Sequence, residues 1–435
     1  MANNKYPSKF DIKAIREQED PVSESCDHPS NDLAGCGHPE MASYYSSPLF
    51  DPGSNKERLD RPMKARSHRV KISLSALMIF TFVFSLNGQV LRGRAQAGRS
   101  LRQERHASPE RFTNPLLPSG ADPWTINKGG VYYYMHTTGD DLTIWKTRNL
   151  ADLKKAEKKV VWTPPSSGPY SKDIWAPELH FLQDKWYIYF AADAGRNQTH
   201  RLWVLENISP DPLRGEWVMK GKLADPSDKW AIDGSVFEHK GHLYVIWSGW
   251  EGDENGTQNI YIARMKNPWT IEGHRVRISS PAYPWEKVGD LDVERDPDNP
   301  PHVDVNEGPQ ILRRGNKIFL VYSASGCWTE HYSLGMLTAS ADSDLLSPDS
   351  WKKSPKPVFE SFPQAGAYGA GHNSFFLSPD GKEDWILYHA NSRPNQGCGG
   401  HRSPRAQRFT WRADGTPDFG KPVPIGKSIP TPSGN

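Results

Sequence analysis

Only four cysteines occur in the 435 residues, and their spacing fits no zinc-ligand motif. No run of eighteen or more uncharged apolar residues exists, which excludes a polytopic membrane protein. Charge of one sign is also missing. The 53 Lys and Arg against 51 Asp and Glu leave a net charge of +2, too little basic excess for a chain whose main partner is nucleic acid. Turn-forming residues, by contrast, are plentiful. The 36 Gly and 37 Pro speak against a long-helix protein. Aromatic surface is plentiful too: 16 each of Trp, Tyr and Phe supply large rigid side chains for a core.

The first hundred residues differ from the rest. Residues 1–62 are rich in Ser, Pro, Asp, Asn and Lys and carry no hydrophobic period, the pattern of a disordered extension. A basic flank follows at Met63, Lys64, Arg66, Arg69 and Lys71. Residues 72–86 then form an uncharged, mostly apolar run, and Ala95-Gln-Ala97 offers a small-x-small cleavage site. That order, over 63–97, is that of a secretory signal peptide, although signal peptides sit at the true N-terminus. Residues 1–62 are then a gene-model artefact, or 72–86 is an uncleaved signal anchor, short for a full span of about 20 residues. Either way the chain from 98 onward is expected outside the cytosol, secreted or membrane-anchored. Residues 98–110 read as a linker and 111–435 as one folded unit. Asn197, Asn207 and Asn255 open N-glycosylation sequons. Cys327 and Cys398 are the only cysteines in this folded part, able to pair in an oxidising compartment or to stay as buried thiols.

The folded part repeats. Five apolar strands, from Val131-Tyr-Tyr-Tyr-Met to Trp385-Ile-Leu-Tyr-His, each follow a turn signal such as Lys128-Gly-Gly or Pro379-Asp-Gly. Before each turn lies another short strand with its own start: Ala121-Asp-Pro-Trp, Trp175-Ala-Pro-Glu, Ile232-Asp-Gly-Ser, Asn306-Glu-Gly-Pro and Gly371-His-Asn-Ser. A third strand follows each apolar one. Three or four strands in every ~60 residues, five times over, predict an all-β fold, a five-bladed β-propeller. In such a fold the first strand of each blade lines the central channel. The register of the starts aligns Asp122, Ala176, Asp233, Glu307 and His372, so three carboxyls and an imidazole should meet at one end of the axis.

Three carboxyl groups around a funnel suit glycoside hydrolysis. One acid protonates the leaving oxygen, one carboxylate activates water, and for inversion the two stand roughly 6.5–9.5 Å apart. A third can tune the acid by like-charge repulsion. Glu307 has the longer reach and suits the acid; Asp122 and Asp233 divide the roles of base and modulator. Each has a plainer reading as well, since Asp before Pro or Gly is a common turn former. His372 and Arg405 could serve only the framework, and Trp124 and Trp175 only the core. Asp173 competes for the modulator role but lies off the repeat register, and Glu178 reads as structural.

These motifs resemble glycoside hydrolase family 43, the arabinanase, arabinofuranosidase and xylosidase group. The matching elements run in order from Asn114-Pro-Leu and Ala121-Asp-Pro-Trp through Ile174-Trp-Ala-Pro-Glu-Leu, Ile232-Asp-Gly-Ser, Asn306-Glu-Gly-Pro and Gly371-His-Asn-Ser to Arg402-Ser-Pro-Arg-Ala-Gln. The resemblance implies a five-bladed propeller, with Asp122 as general base, Asp233 as pKa modulator, Glu307 as general acid and inversion at the anomeric carbon. It implies substrate contacts from Trp124, Trp175, His372 and Arg405. It implies no required cofactor, but a structural calcium in the channel, near His372 through water. His alone is poor support for that, because a hard cation prefers oxygen. Loops 323–332 and 395–407 are similar to the arabinofuranosidase branch, which implies release of terminal α-L-arabinofuranose from arabinan or arabinoxylan. The rivals are an endo-arabinanase or β-xylosidase with the same acids, or a carbohydrate-binding propeller without catalysis. No protein partner is implied. A Cys327–Cys398 bond would tie blades four and five at the pocket rim.

Overall fold

The computed structural model describes residues 110–294 and 300–434. The extension, the signal-like segment and most of the linker lie outside the described residues. Within them the all-β expectation holds: the only helices are short 3-10 turns, the longest being Leu150–Lys155. None is long and apolar enough to cross a membrane.

A short strand β1 (Arg111–Thr113) opens the described chain. Twenty strands then run as antiparallel meanders. The first holds β2 (Ala121–Lys128), β3 (Val131–Thr137), β4 (Leu142–Thr147) and β5 (Glu157–Trp162). The second holds β6 (Lys172–Leu182), β7 (Lys185–Asp193), β8 (Arg201–Asn207) and β9 (Val218–Leu223). The third holds β10 (Ala231–His239), β11 (His242–Gly249), β12 (Thr257–Asn267) and β13 (Thr270–Ser279). The fourth holds β14 (Asp304–Arg314), β15 (Lys317–Ala324), β16 (Ser333–Ser340) and β17 (Lys352–Lys353). A brief parallel pairing of β12 with β14 joins the third and fourth into one eight-stranded sheet. The fifth holds β18 (Tyr368–Leu377), β19 (Asp384–Asn391), β20 (Ser403–Trp411) and β21 (Pro417–Asp418). The last strand, β22 (Ser428–Pro430), pairs with β1.

The second strand of each meander shows why the sheets stack. Successive side chains of a strand point to opposite faces, so an apolar run with no polar face must be covered on both sides. In β7, Tyr187, Tyr189 and Ala191 enter one core, shared with Leu243, Val245 and Trp247 of β11. Trp186, Ile188 and Phe190 enter another, shared with Tyr133 and Met135 of β3. The other face of β11, with Tyr244 and Ile246, meets Ile318, Leu320 and Tyr322 of β15. Phe319 and Val321 of β15 meet Ile386 and Tyr388 of β19. Trp385 and Leu387 of β19 meet Tyr132 and Tyr134 of β3, which returns to the first meander. Each such fully buried large side chain contributes roughly 1.5–3 kcal/mol over its exposed state.

The ends are tied as well. Asn114 donates from Nδ2 to the Ala406 carbonyl (2.9 Å) and accepts the Ala406 amide on Oδ1 (3.0 Å), which fastens the segment after β1 to β20.

Candidate active site

The first strand of each meander breaks register near its start, at Ala121/Trp124, Trp175/Glu178, Ile232/Ser235, Glu307/Gln310 and Gly371/Ser374. One residue in each break takes left-handed backbone: Asp122 (φ 55°), Ala176 (43°), Asp233 (57°), Gly308 (55°) and His372 (47°). A bulge of this kind re-aims a side chain out of the sheet's alternation. Asp tolerates the bend better than most residues, whereas Ala and His hold it at a cost the surrounding packing must cover. The expected register is corrected here. It aligned Glu307 with Asp122 and Asp233, but Gly308 occupies the bent position and Glu307 stands one residue earlier. Glu307 thus shares its register place with Trp175, Ile232 and Gly371.

The bends are stitched to the preceding meander. The Ala176 amide donates to Thr137 Oγ1 (2.7 Å), the Gly308 amide to Asp233 Oδ2 (2.9 Å) and the His372 amide to Ser323 Oγ (2.8 Å). The Asp122 amide donates to His389 Nδ1 (3.0 Å), from the fifth meander back to the first. Gly308 suits its place on two counts, its positive φ and its neighbour: a Cβ there would stand a tight 3.2 Å from the His372 ring nitrogen.

Asp122 is ringed by polar groups. Thr137 Oγ1 donates to its Oδ2 (2.6 Å) and Arg402 Nη1 to its Oδ1 (3.1 Å). His372 Nδ1 stands 3.3 Å and His389 Nδ1 3.6 Å from the same Oδ1. Burial alone would raise its pKa. Arg402, His372, His389 and the Thr137 hydroxyl outweigh that and hold the carboxyl far below the usual carboxylate range. Asp122 is therefore an ionised acceptor throughout the physiological range.

Glu307 and Asp233 are both buried, and Tyr332 donates its phenol proton to Glu307 Oε1 (2.8 Å). The Tyr332 ring lies over Gly371, where any side chain would collide with it. Asp233, Glu307 and His372 each bring one polar atom within 4.8 Å of the others. Asp122 and Glu307 are thus linked across a single imidazole, by contacts of 3.3 Å and at most 4.8 Å.

The same trio offers a cation two carboxylates and one imidazole. Calcium takes about six to eight oxygen ligands, and these three residues by themselves fall short of that set, with the His372 Nδ1 turned toward Asp122.

The other expected residues fall in several places. Trp175 is buried in the core shared by the second and third meanders and stacked on His200, with ring centroids 4.0 Å apart, one residue before the bend of β6. Trp124 lies in the packing between the first and second meanders. It stacks on His180 at 4.8 Å and donates from Nε1 to the Leu179 carbonyl (2.9 Å). Arg405 is fully buried and turned onto the backbone of the Gly366 and Asn391 carbonyls (2.8 and 3.2 Å), so it braces loops. The arginine that meets the Asp122 carboxyl is Arg402, three residues earlier in the same motif and just before β20. Asp173 sits against Asp193, whose pKa burial and Asp173 raise. Glu178 is buried and bridges His180 and Gln310. Cys327 and Cys398 are disulfide-bonded. The sequence reading missed Arg402, Thr137, His389 and Tyr332. Arg402 lies inside the Arg402-Ser-Pro-Arg-Ala-Gln motif, His389 closes the repeat strand Trp385-Ile-Leu-Tyr-His and Tyr332 ends the 323–332 loop, so all three lay within recognised segments; Thr137, at the end of β3, had no such signal.

Comparison with known proteins agrees with the ordered motifs. The sequence model described as "Glycosyl hydrolases family 43" matches residues 112–417. An extracellular exo-alpha-(1->5)-L-arabinofuranosidase of Streptomyces avermitilis is 40% identical over 331 residues, 74% of this chain. The match spans 66% of that relative, just under two thirds of its length. The enzyme of the same name from Streptomyces chartreusis is 38% identical over 69% of this chain and 90% of its own length. Among solved structures, an alpha-L-arabinofuranosidase from Lactobacillus brevis superposes with a TM-score of 0.66 at 38% identity, covering 73% of this chain and 98% of that one.

Proposed function

The chain belongs to glycosyl hydrolase family 43, and from that premise we propose that it is a secreted, inverting, exo-acting α-L-arabinofuranosidase built on a five-bladed β-propeller. Five shared cores that lead back from β19 to β3 support the propeller. Arabinofuranosidase relatives at 37–40% identity support the activity. The extracellular names of two relatives and the Cys327–Cys398 bond, which needs an oxidising compartment, support secretion.

The observation that carries the chemistry is the pairing of unlike carboxyls across His372. Asp122, held ionised by Arg402, takes a proton from water as that water attacks the anomeric carbon. Glu307 gives its proton to the departing glycosidic oxygen. The sugar leaves with the opposite anomeric configuration, and proton exchange with solvent resets both groups. In an inverting pair the two carboxyls stand roughly 6.5–9.5 Å apart, which leaves room for the water. Asp233, anchored by the Gly308 amide, places a second negative charge beside the acid. Terminal arabinofuranosyl groups of arabinan or arabinoxylan are the proposed substrate.

Proton NMR of the first product from an arabinan oligosaccharide tests this reading. The expected signal is free arabinose, first as the inverted anomer. First appearance of the retained anomer would sink the mechanism. Internal cleavage of linear arabinan, or preference for a xyloside, would move the chain to an endo-arabinanase or β-xylosidase.

A further inference from the structure

Two loops at the pocket carry the partners of the two catalytic carboxyls. The loop between β15 and β16 ends in Tyr332, the residue just before β16, and Tyr332 donates to Glu307. The loop between β19 and β20 ends in Arg402, the residue just before β20, and Arg402 donates to Asp122. The two partners thus occupy the same place in the fourth and fifth meanders. The Cys327–Cys398 bond joins these loops. Its cysteines are buried in one small cluster with Tyr332, and Trp328 packs on it. Arg402 is in turn fastened to the cysteine side of its loop, since its Nε donates to the Gly399 carbonyl (3.3 Å). A second tie runs alongside: the Asn395 amide donates to Glu330 Oε1 (2.8 Å). Tyr332 also stacks on His389 at 5.7 Å, the ring that accepts the Asp122 amide.

We propose that the Cys327–Cys398 bond is a positioning device that fixes the general acid and the general base relative to each other, by holding the loops of Tyr332 and Arg402 in one unit. This rests on the hydrolase reading above. Neither cysteine touches substrate. The bond acts through the two residues that orient the carboxyls, and a small misplacement of a reacting group costs far more in rate than in binding.

The test is the Cys327→Ala/Cys398→Ala variant of the full chain, assayed on an arabinan oligosaccharide and on p-nitrophenyl α-L-arabinofuranoside. The nitrophenolate leaves with little help from an acid, whereas the sugar alcohol needs a well-placed proton. Turnover on the oligosaccharide is expected to fall about tenfold with KM within about twofold, and turnover on the aryl substrate about threefold. Tyr332→Phe should cost less in the variant than in the native chain, because coupled sites are not additive. Equal losses on both substrates, additive costs or unchanged turnover would overturn the proposal. If the double variant does not fold, the native chain is reduced with a phosphine in urea below its unfolding transition. Thiols labelled at both Cys327 and Cys398 with the same substrate-dependent loss support the proposal, and labelling at both with unchanged turnover overturns it. A native chain inactive on both arabinofuranosides would instead defeat the hydrolase reading itself.

Discussion

The surroundings of Asp122 and of Glu307 differ in kind. Asp122 faces a guanidinium, two imidazoles and a hydroxyl. Glu307 faces a neutral phenol and lies within 4.8 Å of a second carboxylate. The first setting favours the charged form of a carboxyl. The second sets a phenol and another carboxylate about the acid, with the His372 imidazole shared between the two settings. Two carboxyls with such different neighbours are suited to opposite proton duties, and the fold places them across one ring.

Erasing the comparison altogether gives the largest effects. Asp122→Asn and Glu307→Gln should each cut turnover by about 10²–10⁴-fold with the fold preserved, as circular dichroism would check. For Glu307→Gln the loss should be much smaller on an aryl substrate with a good leaving group, whereas Asp122→Asn should lose both alike. Equal profiles for the two variants would abolish the distinction between acid and base.

Next comes Arg402→Ala, which makes the setting of Asp122 more like that of Glu307. Loss of the guanidinium removes a charge that lowers the Asp122 pKa, so that pKa rises. The Asp122 carboxylate is then protonated at higher pH, and with Asp122 as the proposed base the acidic limb of the kcat/KM profile should move upward. An unmoved limb with lowered turnover would leave Arg402 a merely structural role. Treatment with a chelator is expected to leave turnover within about twofold, because the Asp233, Glu307 and His372 donors fall short of a hard-cation cradle. A loss restored by calcium would reverse that view.

The smallest effect concerns a neighbour of Asp122. Burial pushes the His136 pKa down to about 4 from 6.5, so the folded state binds fewer protons than the unfolded one in between. Stability should therefore fall as pH drops from about 6.5 toward 4, by at most about 1.4 kcal/mol per pH unit from this group. Urea unfolding of His136→Gln at pH 5 and 7 should show a smaller difference than the native chain.

Much of this was written into the chain. The alternation of apolar residues over two faces made the second strands legible. The recurring starts located Asp122, Asp233 and His372, because a bulge that must hold a left-handed bend restricts what can occupy it. The same starts misplaced Glu307 by one. Pro follows the bend in Asp122-Pro, Ala176-Pro and Gly308-Pro, and aligning on proline rather than on the acid would have found the true register. Arg402 and Arg405 could not be told apart by composition. What separates them is whether the residue stands before the strand, at the pocket, or inside it, against carbonyls. Tyr332 reaches Glu307 from a later loop of its own meander and His389 reaches Asp122 across the seam between repeats, and contacts between residues so far apart in the chain leave no local trace.

Four of the five bent positions carry Asp122, Asp233 or His372, or press against His372; the second carries only Ala176, a methyl group buried in the apolar core, whose amide is satisfied by Thr137. The kink is thus a property of the scaffold first: it persists where the side chain is inert, and the polar groups are a separate choice laid upon it.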